Sequence, residues 1–192
     1  MGPRGSRPAV SSATRLALLD RDGTLIEHIP YLSDATRVRL LPGVPEGLKA
    51  LRQMGYALVL VTNQSGLGRG YFKPDQLQAV HDAMEAQLAE QGVQLDQLCF
   101  CPHHPSEGCQ CRKPGLGMAQ QAGENLKISL LEGLVVGDAA CDIGLAKNLG
   151  WRAFLLPDSS PNASGTWQEF PEYDPGYQRI SNFSEVITRL RQ

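Results

Sequence analysis

Short apolar runs alternate with longer amphipathic stretches along this chain. The runs at 16–19, 56–61, 97–100, 133–137 and 153–156 are too short for buried helices and end at Gly, Pro or polar residues, so they predict strands. The run at 56–61 is nearly continuous, as a strand covered on both faces should be. Between the runs, 45–54, 74–91, 117–126 and 143–149 predict helices. The clearest is 74–91, with Pro74 at its start, Gly92 just past its end, and Leu77, Val80, Met84 and Leu88 at helical spacing. That stripe is assigned to the core. Residues 180–190 predict a short strand and a closing helix, while 157–178 carries four prolines, little periodicity and the signature of a long surface loop. No internal repeat interrupts the pattern. Strands alternating with helices predict an α/β fold with a parallel central sheet and helices on both faces.

With 192 residues and 42% hydrophobic content, the chain can bury one sizeable core. One domain over 15–192 is expected, preceded by a loose Gly-, Pro-, Ser- and Arg-rich tail over 1–14. A formal net charge of -2 and a pI of about 6.1 give no sign of a nucleic-acid-binding surface. No apolar run approaches the roughly 18 residues of a membrane span, and the tail lacks the apolar centre of a secretory signal. The expected setting is cytoplasmic, with a monomeric chain and a small-molecule partner, no nucleic acid and no membrane. In a reducing compartment the five cysteines are read as ligands or buried thiols rather than disulfides, and the Asn162-Ala163-Ser164 sequon is without consequence.

The chemistry begins where the first apolar run stops, at Asp20-Arg21-Asp22-Gly23-Thr24. A spacing of two puts both carboxylates on one side of an extended chain. Two acids at the edge of a buried strand oppose folding unless something compensates them. A hard cation with oxygen ligands relieves their repulsion. One carboxylate can then attack a phosphoryl group while the other moves a proton. The same residues also read as a strand-to-turn junction whose acids only cap backbone, and this pair alone does not choose. The other strand ends do. Thr62-Asn63-Gln64-Ser65-Gly66 follows the second run, Gly137-Asp138 closes the fourth with Asp142 beyond it, and Arg112-Lys113-Pro114 lies between. In parallel sheets, ligands bind at the carboxyl ends of the strands. A nucleophile, a hydroxyl, a cation and a further carboxylate compose a phosphoryl-transfer site.

In these residues the chain resembles the haloacid dehalogenase superfamily of phosphohydrolases. D-R-D-G-T at 20–24, V-T-N-Q at 61–64, R-K-P at 112–114 and V-G-D-x-x-x-D at 136–142 occur in the family's order. The resemblance implies a three-layer Rossmann-like fold. It implies that Asp20 is the nucleophile that becomes an aspartyl phosphate, and that Asp22 protonates the leaving alcohol and then activates water. It also implies that Thr62 and Lys113 hold the phosphoryl oxygens, and that Asp20, Asp138 and the backbone carbonyl of Asp22 hold Mg²⁺. Asp142 is read as a supporting partner, with an ordinary first-turn helix acid as the equal alternative. The gaps from Asp20 to Thr62 and from Thr62 to Lys113 leave no room for a separate cap domain, which needs about 50 residues or more. An open site is expected, edged by 26–37, 65–72 and 101–111, with Glu27, His28 and Tyr31 as rim contacts.

Cys101-Pro102-His103-His104-Pro105-Ser106-Glu107-Gly108-Cys109-Gln110-Cys111 adds a second chemistry. Three thiols and an imidazole can surround one tetrahedral cation, and Cys₃His is a structural zinc set. The expected ligands are Cys101, His103, Cys109 and Cys111, with His104 as the alternative imidazole and Cys99 and Cys141 read as small buried residues. This loop narrows the resemblance to the branch of heptose bisphosphate and histidinol-phosphate phosphatases. Asn63-Gln64-Ser65-Gly66-Leu67-Gly68-Arg69-Gly70 is similar to the heptose branch, which implies removal of the 7-phosphate of a heptose 1,7-bisphosphate in the biosynthesis of activated heptose for surface glycans. Arg69 is then expected to grip a second phosphate with its guanidinium fork, with a solvated loop cation as the equal alternative, and Asn63, Gln64, Ser65 and Arg112 are expected among the other substrate contacts. The short loop between His104 and Cys109, and Ala139-Ala140-Cys141 after Asp138, depart from the heptose pattern; the latter resembles the histidinol branch. A catalytically silent metal-binding protein on the same scaffold is the remaining alternative, against which the intact Asp20/Asp22 pair argues.

Overall fold

The computed structural model describes residues 13–157 and 177–192. Six strands, β1 (Arg15–Leu19), β2 (Tyr56–Asn63), β3 (Gln97–Cys101), β4 (Gly133–Gly137), β5 (Arg152–Leu155) and β6 (Tyr177–Arg179), form one sheet in the order β3-β2-β1-β4-β5-β6. Every neighbouring pair is parallel. The helices are α1 (Val44–Gln53), α2 (Ser65–Gly68), α3 (Pro74–Glu90), α4 (Gly117–Leu126), α5 (Ala140–Leu149) and α6 (Glu185–Leu190).

The period-two alternation of a strand sorts its side chains into two cores. Ala17, Leu19, Leu58 and Leu60 pack with Leu48 and Leu51 of α1, Val80, Met84 and Leu88 of α3, and Val186 of α6. Leu16, Leu18, Ala57, Val59 and Val61 pack on the other face with Met118, Ala119 and Ala122 of α4 and Leu145 and Ala146 of α5. The result is the expected three-layer α/β fold. The direction of travel reverses between β1 and β4, and in sheets of this order that switch point opens a crevice beyond the strand carboxyl ends.

Most boundaries fall within one residue of the apolar pattern, and four differences are larger. β2 runs on through Thr62 and Asn63 because they pair with Phe100 and Cys101 of β3. α5 begins at Ala140 rather than 143, because Asp142 at its third position accepts the Ala139 N–H at 3.2 Å and caps a start that carries no apolar signal. Ser65–Gly68 forms a short helix where only a loop is expected. Tyr177 and Gln178, read as loop, belong to β6, which ends before residue 180; they pair with Ala153 and Phe154 of β5. The rest of the 157–178 loop after Pro157, the sequon and the tail up to residue 12 lie outside the described residues. Thr14 is described, and its N–H donates to the Gly55 carbonyl.

Candidate active site and four-donor metal loop

Asp20 leaves β1 with its N–H held by the Val136 carbonyl of β4 at 2.9 Å, which sets it beside the residues that follow β4. A cavity of about 340 Å³ opens there, lined by Asp20, Asp22, His28, Tyr31, Thr62, Asn63, Gln64, Ser65, Lys113, Asp138 and Cys141 among others. This is the size of a site for one small molecule.

Lys113 is buried at the floor. Its Nζ donates to Asp20 Oδ1 at 2.5 Å and to Asp142 Oδ1 at 2.6 Å. Burial alone would lower its pKa, but the charges of Asp142 and Asp20 outweigh that and hold it above the ordinary lysine value. The lysine is placed by a distant residue: Asn63 Oδ1 accepts the Lys113 N–H at 2.9 Å and Asn63 Nδ2 donates to the Lys113 carbonyl at 3.2 Å. Asn63 thus holds the lysine backbone while also lining the cavity.

Carboxylate oxygens of Asp20, Asp138 and Asp142 lie within 4.8 Å of one another. One ammonium faces three buried acids, so negative charge is in surplus. Burial, with the Asp20 charge, pushes Asp138 up to about 6, opposed by His28, whose Nδ1 lies 3.9 Å from Asp138 Oδ2. Asp142 spends Oδ1 on Lys113 and Oδ2 on Ala139, so it serves both as a partner of the lysine and as a first-turn cap of α5, which leaves Asp20 and Asp138 to offer oxygens to a hard cation. The Asp22 carboxylate is turned elsewhere and is not among the grouped acids, so only its backbone carbonyl is left for an ion.

Asp22 is gripped from two sides. Gln64 Nε2 donates to its Oδ2 at 2.9 Å and also to Thr62 Oγ1 at 2.8 Å. The buried guanidinium of Arg21 forks onto it through Nε and Nη2 at 3.0–3.2 Å. At the rim, Tyr31 meets Tyr71 edge-on at 4.6 Å, which ties the two loops that border the mouth. Glu27 is exposed and absent from the lining. Arg69 caps α2 and is likewise exposed outside the lining. Arg112 is half-buried, and its Nη1 has no hydrogen-bond partner among the described residues. Cys141 lines the cavity instead of the core; its thiol is pushed up to about 12 by burial and the Asp142 charge.

The Gly137 of V-G-D has a steric reason: a Cβ there would fall 2.2 Å from the Asp142 carboxyl carbon. Gly137→Ala is expected to displace that carboxylate and with it Lys113, lowering kcat/KM by about a hundredfold and stability by about 1–3 kcal/mol. Steady-state kinetics with denaturant unfolding checks both; a variant with unaltered kinetics would contradict the packing.

The four expected metal ligands converge. Cys101 Sγ lies 3.5 Å from His103 Nδ1 and from Cys109 Sγ, His103 Nδ1 lies 3.2 Å from Cys111 Sγ, and Cys109 and Cys111 are 3.5 Å apart. A tetrahedral ion with metal–sulfur bonds of about 2.3 Å needs edges of roughly 3.5–3.8 Å. All five cysteines are free. His104 is turned away, its Nδ1 2.7 Å from Ser106 Oγ in the turn that reverses the loop. The loop backs directly onto the site: the Gln64 N–H donates to the Cys101 carbonyl at 2.8 Å and the Gly68 N–H to the Pro102 carbonyl at 2.9 Å.

Sequence reasoning missed Arg21 and His81. A buried arginine between two site acids and a histidine within an apolar helical stripe were both visible, but only their contact gives them meaning.

Known proteins share this arrangement. A family model described as polynucleotide kinase 3 phosphatase matches residues 15–176. The D-glycero-beta-D-manno-heptose-1,7-bisphosphate 7-phosphatase of Haemophilus influenzae is 45% identical over 180 residues, covering 91% of this chain and 97% of the relative. The enzyme of that name from Yersinia pestis is 40% identical over 156 residues, covering 77% and 83%. The crystal structure of D,D-heptose 1,7-bisphosphate phosphatase from B. bronchiseptica, complexed with magnesium and phosphate, superposes with a TM-score of 0.80 at 32% identity, covering 93% of this chain and 98% of its own. The chain belongs to this family of phosphatases within the haloacid dehalogenase superfamily, alongside the heptose bisphosphate phosphatases.

Proposed function

We propose that this chain is a Mg²⁺-dependent phosphatase that removes the 7-phosphate of D-glycero-D-manno-heptose 1,7-bisphosphate through an aspartyl phosphate on Asp20, a step toward nucleotide-activated heptose. The observation that carries this reading is Asp20 at the cavity floor, with Lys113 Nζ at 2.5 Å and Asp138 beside it. Relatives with this substrate in their names support the sugar, and both named above specify the β anomer.

In the first half-reaction an Asp20 oxygen bonds phosphorus as the ester P–O bond breaks, and Asp22 gives its proton to the departing alkoxide. In the second, water attacks the phosphorus of the acyl phosphate and passes its proton to Asp22, which releases phosphate and restores both carboxyl groups. Lys113 and Thr62 face the phosphoryl oxygens, and positioning with charge neutralisation does most of the work. Asp20, Asp138 and the Asp22 carbonyl would hold Mg²⁺, which would supply charge neutralisation there. For the second phosphate the candidate guanidinium groups are those of Arg69, which is exposed, and Arg112, which is half-buried; neither lines the cavity around Asp20.

Phosphate release from both anomers of the bisphosphate and from histidinol phosphate tests the substrate. The β bisphosphate is expected to give the highest kcat/KM. Histidinol phosphate turned over faster than either anomer would overturn the assignment in favour of the other branch.

The Cys/His cluster is assigned to structural Zn²⁺, since thiolates with one imidazole suit a closed tetrahedral site. Verified removal of the metal is expected to lower the Tm and to speed amide exchange at Gln64 and Gly68, whose acceptors are loop carbonyls. An unchanged Tm with unchanged exchange would argue against a structural metal.

A further inference from the structure

Arg21 sits between the two site acids in sequence, yet only one end of its guanidinium serves the site. Nε and Nη2 grip Asp22, and Nη1 points away, into the sheet–helix interface. There it meets Nε2 of His81, on α3, at 3.1 Å. Both side chains are 1% exposed.

Arginine has donors and no acceptor. The ring nitrogen that faces Nη1 must therefore accept, which fixes His81 as the neutral tautomer with its proton on Nδ1. Burial, and then the Arg21 charge, lower its pKa to about 4, in keeping with that geometry. His81 lies within the buried stripe of Leu77, Val80, Met84 and Leu88, where a polar group is costly unless it has a partner. It does not line the cavity, so it touches no ligand.

We propose that His81 is a positioning residue for proton transfer: as a neutral acceptor it locks the Arg21 fork, and the fork, opposed by Gln64, holds the Asp22 carboxyl where the leaving oxygen departs. The chain of contacts runs from a rigid helix to a fully buried guanidinium to Asp22, and each link is a hydrogen bond of 3.2 Å or less. Without the acceptor, Arg21 Nη1 is left buried and unsatisfied, and the guanidinium relaxes by drawing its other nitrogens out of register with Asp22. The inference rests on the reading of Asp22 as the proton carrier, and its test separates the two.

The test compares kcat/KM for an alkyl phosphate, whose alkoxide needs a proton to leave, with kcat/KM for p-nitrophenyl phosphate, whose phenolate leaves without one. This ratio reports only steps up to phosphoryl transfer to Asp20, so hydrolysis of the acyl phosphate does not enter. His81→Leu removes the acceptor. It is expected to lower kcat/KM on the alkyl ester at least about tenfold more than on the aryl ester, within the range of general-acid catalysis. His81→Gln, whose amide oxygen can replace Nε2 as acceptor, is expected to restore the wild-type ratio. His81→Asn, polar but too short to reach Nη1, is expected to behave like leucine and serves if the leucine variant does not fold. Equal loss on both esters in the Leu and Asn variants, or no loss, overturns the proposal, since a purely structural histidine would affect both alike. Asp22→Asn is measured alongside. If it discriminates between the esters and the His81 variants do not, the positioning role alone is wrong. If it fails to discriminate, the reading of Asp22 is wrong and the proposal falls with it.

Discussion

Asp20→Asn is expected to abolish turnover, with a loss of about ten-thousand-fold or more, as removal of a covalent nucleophile does elsewhere. The amide matches the carboxylate in volume but cannot form an acyl phosphate. The fold should survive the change. Lys113 keeps Asp142 at 2.6 Å, and the cluster of three acids loses one of its repelling charges. Thermal melting should therefore stay near the wild-type value while single-turnover phosphate release disappears. A second readout is direct: acid-quenched wild-type protein should carry one added phosphoryl mass, and the variant should carry none. Residual turnover above roughly one part in a hundred, on a scale where nucleophile loss costs far more, would remove Asp20 from the role on which the functional reading depends.

Lys113→Met should damage both activity and stability. Methionine fills the volume but removes the one cation at the floor of the site, leaving the buried Asp142 without its Lys113 contact at 2.6 Å. Removing one member of a buried pair typically destabilises by about 3–5 kcal/mol, because the remaining charge is left uncompensated. Catalysis should fall by about a hundred- to a thousandfold, as when one donor to a developing charge is deleted. A pH dependence should accompany the loss. Burial raises the Asp138 carboxyl from its ordinary 3.8 to about 6, so between those values the folded protein binds protons that the unfolded chain releases. Stability of the metal-free protein must then fall as pH rises through that window. The slope should steepen in the variant, where Lys113 no longer favours the ionised acids. Denaturant unfolding of metal-free protein at about pH 3 and about pH 7, outside the two ends of the window, reads this out. Equal stability of variant and wild type at both values would show that the lysine does not hold the cluster together.

Much of the site was legible because its parts are local. Asp20 and Asp22 stand at the end of an apolar run. Thr62 and Asp138 end two others, and Cys101, His103, Cys109 and Cys111 share one short loop. What each side chain does at those positions was less legible. Asn63 reads as a substrate contact, and its second task, holding the backbone of Lys113, shows only once the register of β2 and β3 is known. Arg69 reads as a phosphate ligand from its neighbours in sequence; its place as the exposed C-cap of α2 was not legible there. The early start of α5 was hidden because its signal is a carboxylate reaching back to an N–H, not a hydrophobic period.

The alternation of strands and helices, the carboxylates at the strand ends and the four donors of the metal loop are all legible in the order of residues. Each of these is written in spacing between near neighbours, where hydrophobic burial and ligand chemistry leave a periodic trace. The pairings emerge from the folded chain: Lys113 between Asp20 and Asp142, Asn63 on the lysine backbone, and Arg21 bridging Asp22 and His81. These contacts join residues far apart in the chain. Sheet order and register bring them together, and no local pattern records which distant partner a buried polar group will find.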